Sequence, residues 1–192
     1  MFPPASNSFG TVRTMARPPA ARDKVLQAFA ELVAAEGEQV ATLDAVAERA
    51  GVSKGGLLYH FGSREALLDG LLEKLLAYGE EDLQQMAADP DGPVTYYLRT
   101  SARSPGGFND FYLAASRISG PNAERARGAL MQLERGWYDA LLEATGDPAV
   151  ATTLLLLGDG LYLKALRGQQ DLAVENWKQI EPLITQWVGE RD

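Results

Sequence analysis

Apolar residues in this chain recur at every third or fourth position, and the alternating β-branched runs that make half-buried strands are missing. That spacing matches the helical repeat and commits the chain to an all-α fold. The strongest instance is Leu67, Leu68, Leu71, Leu72, Leu75 and Leu76, a broad apolar face on a helix that Ser63 opens and that runs towards Met86. A helix of this length, 63 to about 88, is long enough to connect two modules.

Upstream of it the pattern breaks into three shorter helices. Val25, Leu26, Phe29, Leu32 and Val33 predict an amphipathic helix from Arg22, ended by a left-handed turn at Gly37. Thr42 caps a second helix with Leu43, Val46, Ala47 and Ala50 on one stripe, and Gly51 stops it. Ser53 caps a third, Lys54 to Phe61. Helix, tight glycine turn and helix within about twenty residues is the spacing of a helix-turn-helix. Beyond residue 88 the breaks SPGG (104–107), SGPN (119–122), GDP (146–148) and RGQQD (167–171) imply five more helices, about nine in all. The expected organisation is a disordered Pro-, Ser- and Ala-rich arm over 1–19, in which Met15 offers an alternative start. A helix-turn-helix head over 20–66 and a C-terminal helical domain over 67–192 follow.

Composition narrows the function. The chain has no cysteine, which excludes disulfides, thiolate metal sites and cysteine nucleophiles. It has one histidine, no HExxH and no glycine-rich phosphate loop after a strand, so no catalytic set assembles and neither metal nor cofactor is expected. The N-terminal stretch lacks an apolar signal core and the longest apolar run elsewhere is Leu154 to Leu157, so a cytoplasmic protein without a membrane partner is expected. The net charge is −8, but it is uneven: residues 1–64 carry seven basic and six acidic side chains, the remainder eleven and twenty. A polyanion would meet the N-terminal part.

Two adjacent glycines at the start of the third helix cost helix stability. Without side chains, Gly55 and Gly56 would let that helix approach a duplex closely, with Lys54 adding charge and the free N–H groups favouring phosphate. Tyr59 and His60, one turn on, can donate to phosphate oxygens, while Leu57 and Phe61 hold the helix on its neighbours. The competing account of the glycine pair is tight helix packing.

The stretch TLDAVAERAGVSKGGLLYHFGSREALLDGLL (42–72) resembles the DNA-binding domain of the TetR family of transcriptional regulators. The resemblance covers about residues 22–72, with AGVSKG at the turn, LYHF closing the third helix and Arg64-Glu65-Ala66-Leu67-Leu68 opening the fourth. It implies a homodimer that places each third helix in successive major grooves of a double-stranded DNA operator, and a C-terminal domain that binds a small-molecule effector and dimerises. It also implies phosphate contacts from Thr42, Lys54, Tyr59, His60 and Arg64, and base-edge positions at Gly55, Gly56 and Leu58; with the cap Ser53 these form the candidate DNA-binding set. Leu58 stands where the family frequently has tyrosine, and the glycines leave little direct readout. Specificity would then rest on Lys54, on thymine-methyl contact by Leu58 and on DNA shape, with Arg13 and Arg17 of the arm available to the minor groove.

For the C-terminal half, Tyr96, Tyr97, Phe108, Phe111, Tyr112, Trp137, Tyr138 and Tyr162 are candidate pocket linings, with ordinary core packing as the alternative. Arg103, Arg117 and Asp159 are candidate polar anchors; Asp159 interrupts the apolar run LLLLGDGLYL, where a carboxylate is costly unless paired. The last two helices, about 149–166 and 173–189, carry Leu154, Leu161, Ala165, Trp177, Ile180, Ile184 and Trp187 at helical spacing, the candidate dimer interface. The function expected is a ligand-responsive regulator, a repressor that binds a palindromic operator as a homodimer and is released by an unidentified small molecule. The alternative is a dimeric helical ligand-binding or interaction protein without specific DNA binding.

Overall fold

The computed structural model describes residues 21–103, 106–169 and 177–188. The arm with Arg13 and Arg17 falls outside these, as do the side chains of Trp177 and Trp187. Among the described residues the chain forms nine α-helices and no strand.

The head is built as its punctuation dictates. α1 (Ala21–Glu36) buries Val25, Leu26, Phe29, Leu32 and Val33, and Gly37 ends it with φ +94°. α2 (Leu43–Ala50) starts where the Ala45 N–H donates to Thr42 Oγ1 at 3.2 Å, and stops at left-handed Gly51. α3 (Lys54–His60) is capped by Ser53, whose Oγ accepts from the Gly56 N–H at 3.0 Å. α4 (Arg64–Ala88) begins under a Ser63 cap and runs 25 residues.

The body follows with α5 (Pro93–Ser101), α6 (Gly106–Arg117), a 3₁₀ turn (Gly120–Asn122), α7 (Ala123–Thr145), α8 (Pro148–Leu166) and α9 (Trp177–Val188). Asp147 caps α8 by accepting from the Ala149 N–H at 2.7 Å, with Pro148 in the first turn. α4 and α7 approach closely at Gly79, where a Cβ would lie 2.0 Å from Leu133 Cδ2.

One buried cluster passes from head to body without a break: Phe29, Leu57 and Phe61 share it with Leu71 and Leu75 of α4, Phe111 of α6 and Leu133 of α7. A second joins Met86, Tyr97, Leu98, Leu141, Leu154 and Ile184. Trp137 packs against both. Each fully buried Leu or Phe contributes about 1.5–3 kcal/mol of transfer free energy, so both clusters bind their helices firmly. The most extensive described helix contact is α1 against α6, which docks the head on the body.

The structure places most of the expected interface residues elsewhere. Leu154, Leu161, Ala165 and Ile184 are buried inside this chain and Ile180 is half-buried against the same cluster, because α8 turns that stripe towards α5 and α7. The outward side of α8 carries Leu156 and Leu163 instead. By length and mean hydropathy (1.4), α8 is also the one described helix long and apolar enough to cross a membrane. The short run Leu154 to Leu157 did not reveal this, because the apolar character is spread over the whole helix.

Candidate nucleic-acid interface and ligand cavity

The start of α3 is open. A Cβ at Gly55 would meet nothing within 4 Å, and one at Gly56 would touch only Ser53 Oγ (3.3 Å) and Val52 Cβ (4.0 Å), its own cap and turn. No other helix packs there, so tight helix packing does not explain the glycines. Leu57 and Phe61 point into the core, whereas Leu58 is 39% and Tyr59 85% exposed. Tyr59 and His60 meet edge to face, ring centroids 5.2 Å apart.

Two of the basic candidates already have acidic partners. Lys54 Nζ lies 2.9 Å from Asp44, which brings the start of α2 and the start of α3 onto one face. The pair is solvent-exposed and therefore weak, so a phosphate can displace the carboxylate. Arg64 donates to the Glu38 carbonyl and lies 3.7 Å from the Glu38 carboxylate, a link that ties the start of α4 to the loop after α1. Asp44 was not among the expected site residues; its place in the first turn of α2, where acids favour the helix dipole, hid its position beside Lys54.

The body encloses a cavity of about 310 Å³ between α4, α5, α6, α7 and α8. Of the expected linings, Tyr97, Phe108, Tyr112, Trp137, Asp159 and Tyr162 surround it. Their rings form a connected wall: Phe108 lies 5.8 Å from Tyr112 and 6.2 Å from Trp137, and Tyr112 stands edge-on to Tyr162 at 5.3 Å. The Tyr162 hydroxyl donates to Asn109 Oδ1. Asp159 is solvent-exposed and lines the cavity, which puts it at the opening.

The other candidates serve elsewhere. Tyr96 is buried behind the cavity, its hydroxyl donating to Asp82 at 2.8 Å. Phe111 is core, 5.6 Å from the Tyr78 ring. Arg117 donates to the Ala35 carbonyl at 3.1 Å and fastens α6 to α1. Tyr138 lies under the Arg135 guanidinium at 5.2 Å. Arg103 is exposed after α5 and does not reach the cavity.

Sequence reasoning missed the α4 side of the cavity, Tyr78, Glu81, Asp82 and Gln85. These fall at i, i+3, i+4 and i+7, which puts them on one side of α4 but does not tell a cavity-facing stripe from a solvated one. Tyr97, expected as a lining aromatic, borders the cavity as well, and its hydroxyl reaches the Leu155 carbonyl at 3.4 Å. Gly158 makes that approach possible, since a Cβ there would lie 2.3 Å from Tyr97 Cε1.

The electrostatics of the cavity are one-sided. Burial, and then the Asp159 carboxylate, hold the Tyr97 phenol well above the ordinary tyrosine range and raise that of Tyr112. Burial, then the nearby Tyr112 phenol, does the same for Tyr162. Asp159 is itself raised, by partial burial first and by Glu134 second. A second cleft of about 430 Å³ lies between the head and the body, lined by Lys24, Gln27 and Arg49 on one side and by Lys74, Tyr78 and Phe111 on the other. Tyr78 borders both spaces.

Residues 25–71 match the family described as bacterial regulatory proteins, tetR family. Among solved structures, the chain is similar to a TetR-family transcriptional regulator from Rhodococcus sp., with 24% identity and a TM-score of 0.61 over 86% of this chain and 99% of that one. It is similar to a transcriptional regulator from Streptomyces coelicolor A3(2), with 25% identity and a TM-score of 0.53 over 84% and 98%. Superantigen PfiT is also similar, with 21% identity and a TM-score of 0.61 over 88% and 98%. The chain matches no curated protein sequence.

Proposed function

Because the chain carries a helix-turn-helix domain of the TetR family, we propose that it is a ligand-responsive DNA-binding regulator. In this reading it is a repressor that holds a palindromic double-stranded operator as a homodimer and releases it when a small molecule fills the cavity. The observation that carries this is a head with an open, glycine-lined recognition helix sharing one continuous core with a body that encloses a ligand-sized space. Thr42, Lys54, Tyr59 and His60 are the candidate phosphate contacts, and Leu58 with the space at Gly55 and Gly56 is the candidate base-facing surface.

The route from cavity to head runs through α6. Phe108 and Tyr112 of α6 line the cavity, while Asp110 of the same helix accepts from Gln27 of α1 at 2.7 Å, and the Arg117 link to Ala35 fixes the other end. A ligand that prefers a shifted α6 therefore shifts α1 and the head with it, and lowers operator affinity by its differential affinity for the two states. The long α4, which lines both spaces at Tyr78, is the parallel connection.

A second reading is a dimeric ligand-binding or interaction protein without specific DNA binding. The pairing of Lys54 with Asp44 and of Arg64 with Glu38 favours it, because both cations are partly neutralised on the face that would meet phosphate. Fluorescence anisotropy against duplexes from the DNA flanking the gene, at two salt concentrations and with random-sequence competitor, separates the two. Binding that survives competitor and weakens with salt supports the regulator; binding no tighter than to competitor supports the second reading.

A further inference from the structure

The chemistry of the cavity selects among ligands. Its wall is a connected set of aromatic rings, and its ionisable lining, apart from tyrosine phenols, is Glu81, Asp82 and Asp159; no Lys or Arg is present among the described lining residues. The nearby Lys74 ammonium sits 4.8 Å from the Tyr78 ring centroid but lines the second cleft. Asp82 is held in place by two neutral donors, the Tyr96 hydroxyl at 2.8 Å and Trp137 Nε1–H at 2.9 Å, which orient its charge without cancelling it. Asp159 has no hydrogen-bond or ion-pair partner among the described residues.

Uncompensated carboxylates beside ring faces repel an anion, gain little from a neutral molecule, and attract a cation twice, through the carboxylate charge and through the aromatic quadrupole. We infer that the cavity takes an organic cation with a flat apolar body, its nitrogen towards Asp159 and Asp82 and its body against Phe108, Tyr112 and Trp137. A volume of about 310 Å³ suits one or two fused rings carrying an ammonium or quaternised nitrogen. The pKa values of Asp159, Tyr97 and Tyr112 are raised by burial first, and the second cause in each, Glu134 for Asp159 and Asp159 for the two phenols, is a neighbouring carboxylate with no cation to offset it. The inference deepens the regulator proposal at the same cavity, and it rests on that proposal only for the consequence at DNA.

Isothermal titration of the full chain, without DNA, tests it with four probes: the cations benzyltrimethylammonium and N-methylquinolinium, neutral 2-naphthalenemethanol and anionic 2-naphthoate. Submillimolar binding of a cation, with the neutral probe at least about tenfold weaker and the naphthoate weaker still, is expected. Asp159→Asn should weaken the cation at least about tenfold and leave the neutral probe unchanged, with Glu81→Gln as a second charge-neutral variant. The inference is overturned if neither cation binds at millimolar concentration, if the naphthoate or the alcohol binds as tightly, or if Asp159→Asn keeps full affinity for the cation. Adding the operator separates the two proposals. A cation that binds yet leaves operator affinity unchanged upholds the ligand class and counts against the regulator. Release by naphthoate alone upholds the regulator and overturns the ligand class.

Discussion

Gly55 is the position at which helix stability and access to α3 can be pulled apart. Its Cβ direction faces open space, so Gly55→Ala should stabilise the head by about 0.5–1 kcal/mol through helix propensity alone, read from chemical denaturation. The same methyl group should weaken operator binding in the anisotropy assay, because it occupies the gap through which the helix would approach the duplex. A stabilised variant with unchanged operator affinity would sink the close-approach explanation. Asp159 offers the converse separation. Partial burial first, and the nearby Glu134 second, raise its pKa in the folded protein, so the folded state holds this proton to higher pH than the unfolded chain does. Stability from this group is therefore full at low pH and lost as pH rises through its folded-state value. Asp159→Asn should raise Tm at neutral pH and converge on the parent below about pH 4, where the carboxyl is protonated in both states. A neutral-pH Tm below that of the parent would mean that the carboxylate has a favourable partner and is not the uncompensated charge the cavity displays.

At the scale of elements, α6 is where ligand and head meet. Gln27→Ala removes the 2.7 Å bond to Asp110 at a cost of about 1 kcal/mol, without touching the cavity wall. Ligand affinity and unliganded operator affinity should stay close to those of the parent, while ligand-induced release becomes shallower; titrating a binding cation into the operator complex measures it. Full release in that variant would take the coupling off the Gln27–Asp110 bond and leave it to the Arg117 link, to the packing of α6 on α1 and to α4. The same elements show what the sequence could and could not convey. Thr42, Ser53, Ser63 and Gly51 act on atoms within a few residues of themselves, so the starts of α2, α3 and α4 and the turn between α2 and α3 were legible from spacing alone. Tyr78, Glu81, Asp82 and Gln85 were not, because a polar stripe at i, i+3, i+4 and i+7 has the same pattern whether it faces water or a cavity. The leucines of α8 posed a related ambiguity: Leu154 and Leu155 are buried while Leu156 next to them is exposed, and four leucines in a row contain no period from which the inward face can be chosen. Arg117 was drawn to the pocket by its charge, but the carbonyl it meets belongs to α1, more than eighty positions earlier.

At the scale of the whole molecule, the apolar surface left uncovered bears on assembly. Leu156 and Leu163 on α8 are 64% and 47% exposed, and Leu183 on α9 is 53% exposed, while Leu154, Leu161, Ala165 and Ile184 of the stripe first expected to face a partner are buried. Between the two α8 leucines, Gly160 is exposed and has nothing within 4 Å of its Cβ position, so a second helix has room to come close there. A homodimer built on this face would be isologous, the same leucines meeting their copies across a two-fold axis, and would hold two heads at a fixed separation for a palindromic operator. Leu156→Glu would place two like charges against that axis in an apolar setting, and should convert the protein to a monomer in light scattering after size exclusion, with the helical circular dichroism unchanged. Operator affinity should fall by about 100-fold, because each head then binds its half-site without the effective concentration that the dimer supplies. A variant that remains dimeric would move the interface off this face. One that becomes monomeric yet holds the operator as tightly as the parent would show that the interface is real and that a single head suffices, which removes the need for a palindrome but leaves the cavity and its coupling through α6 untouched.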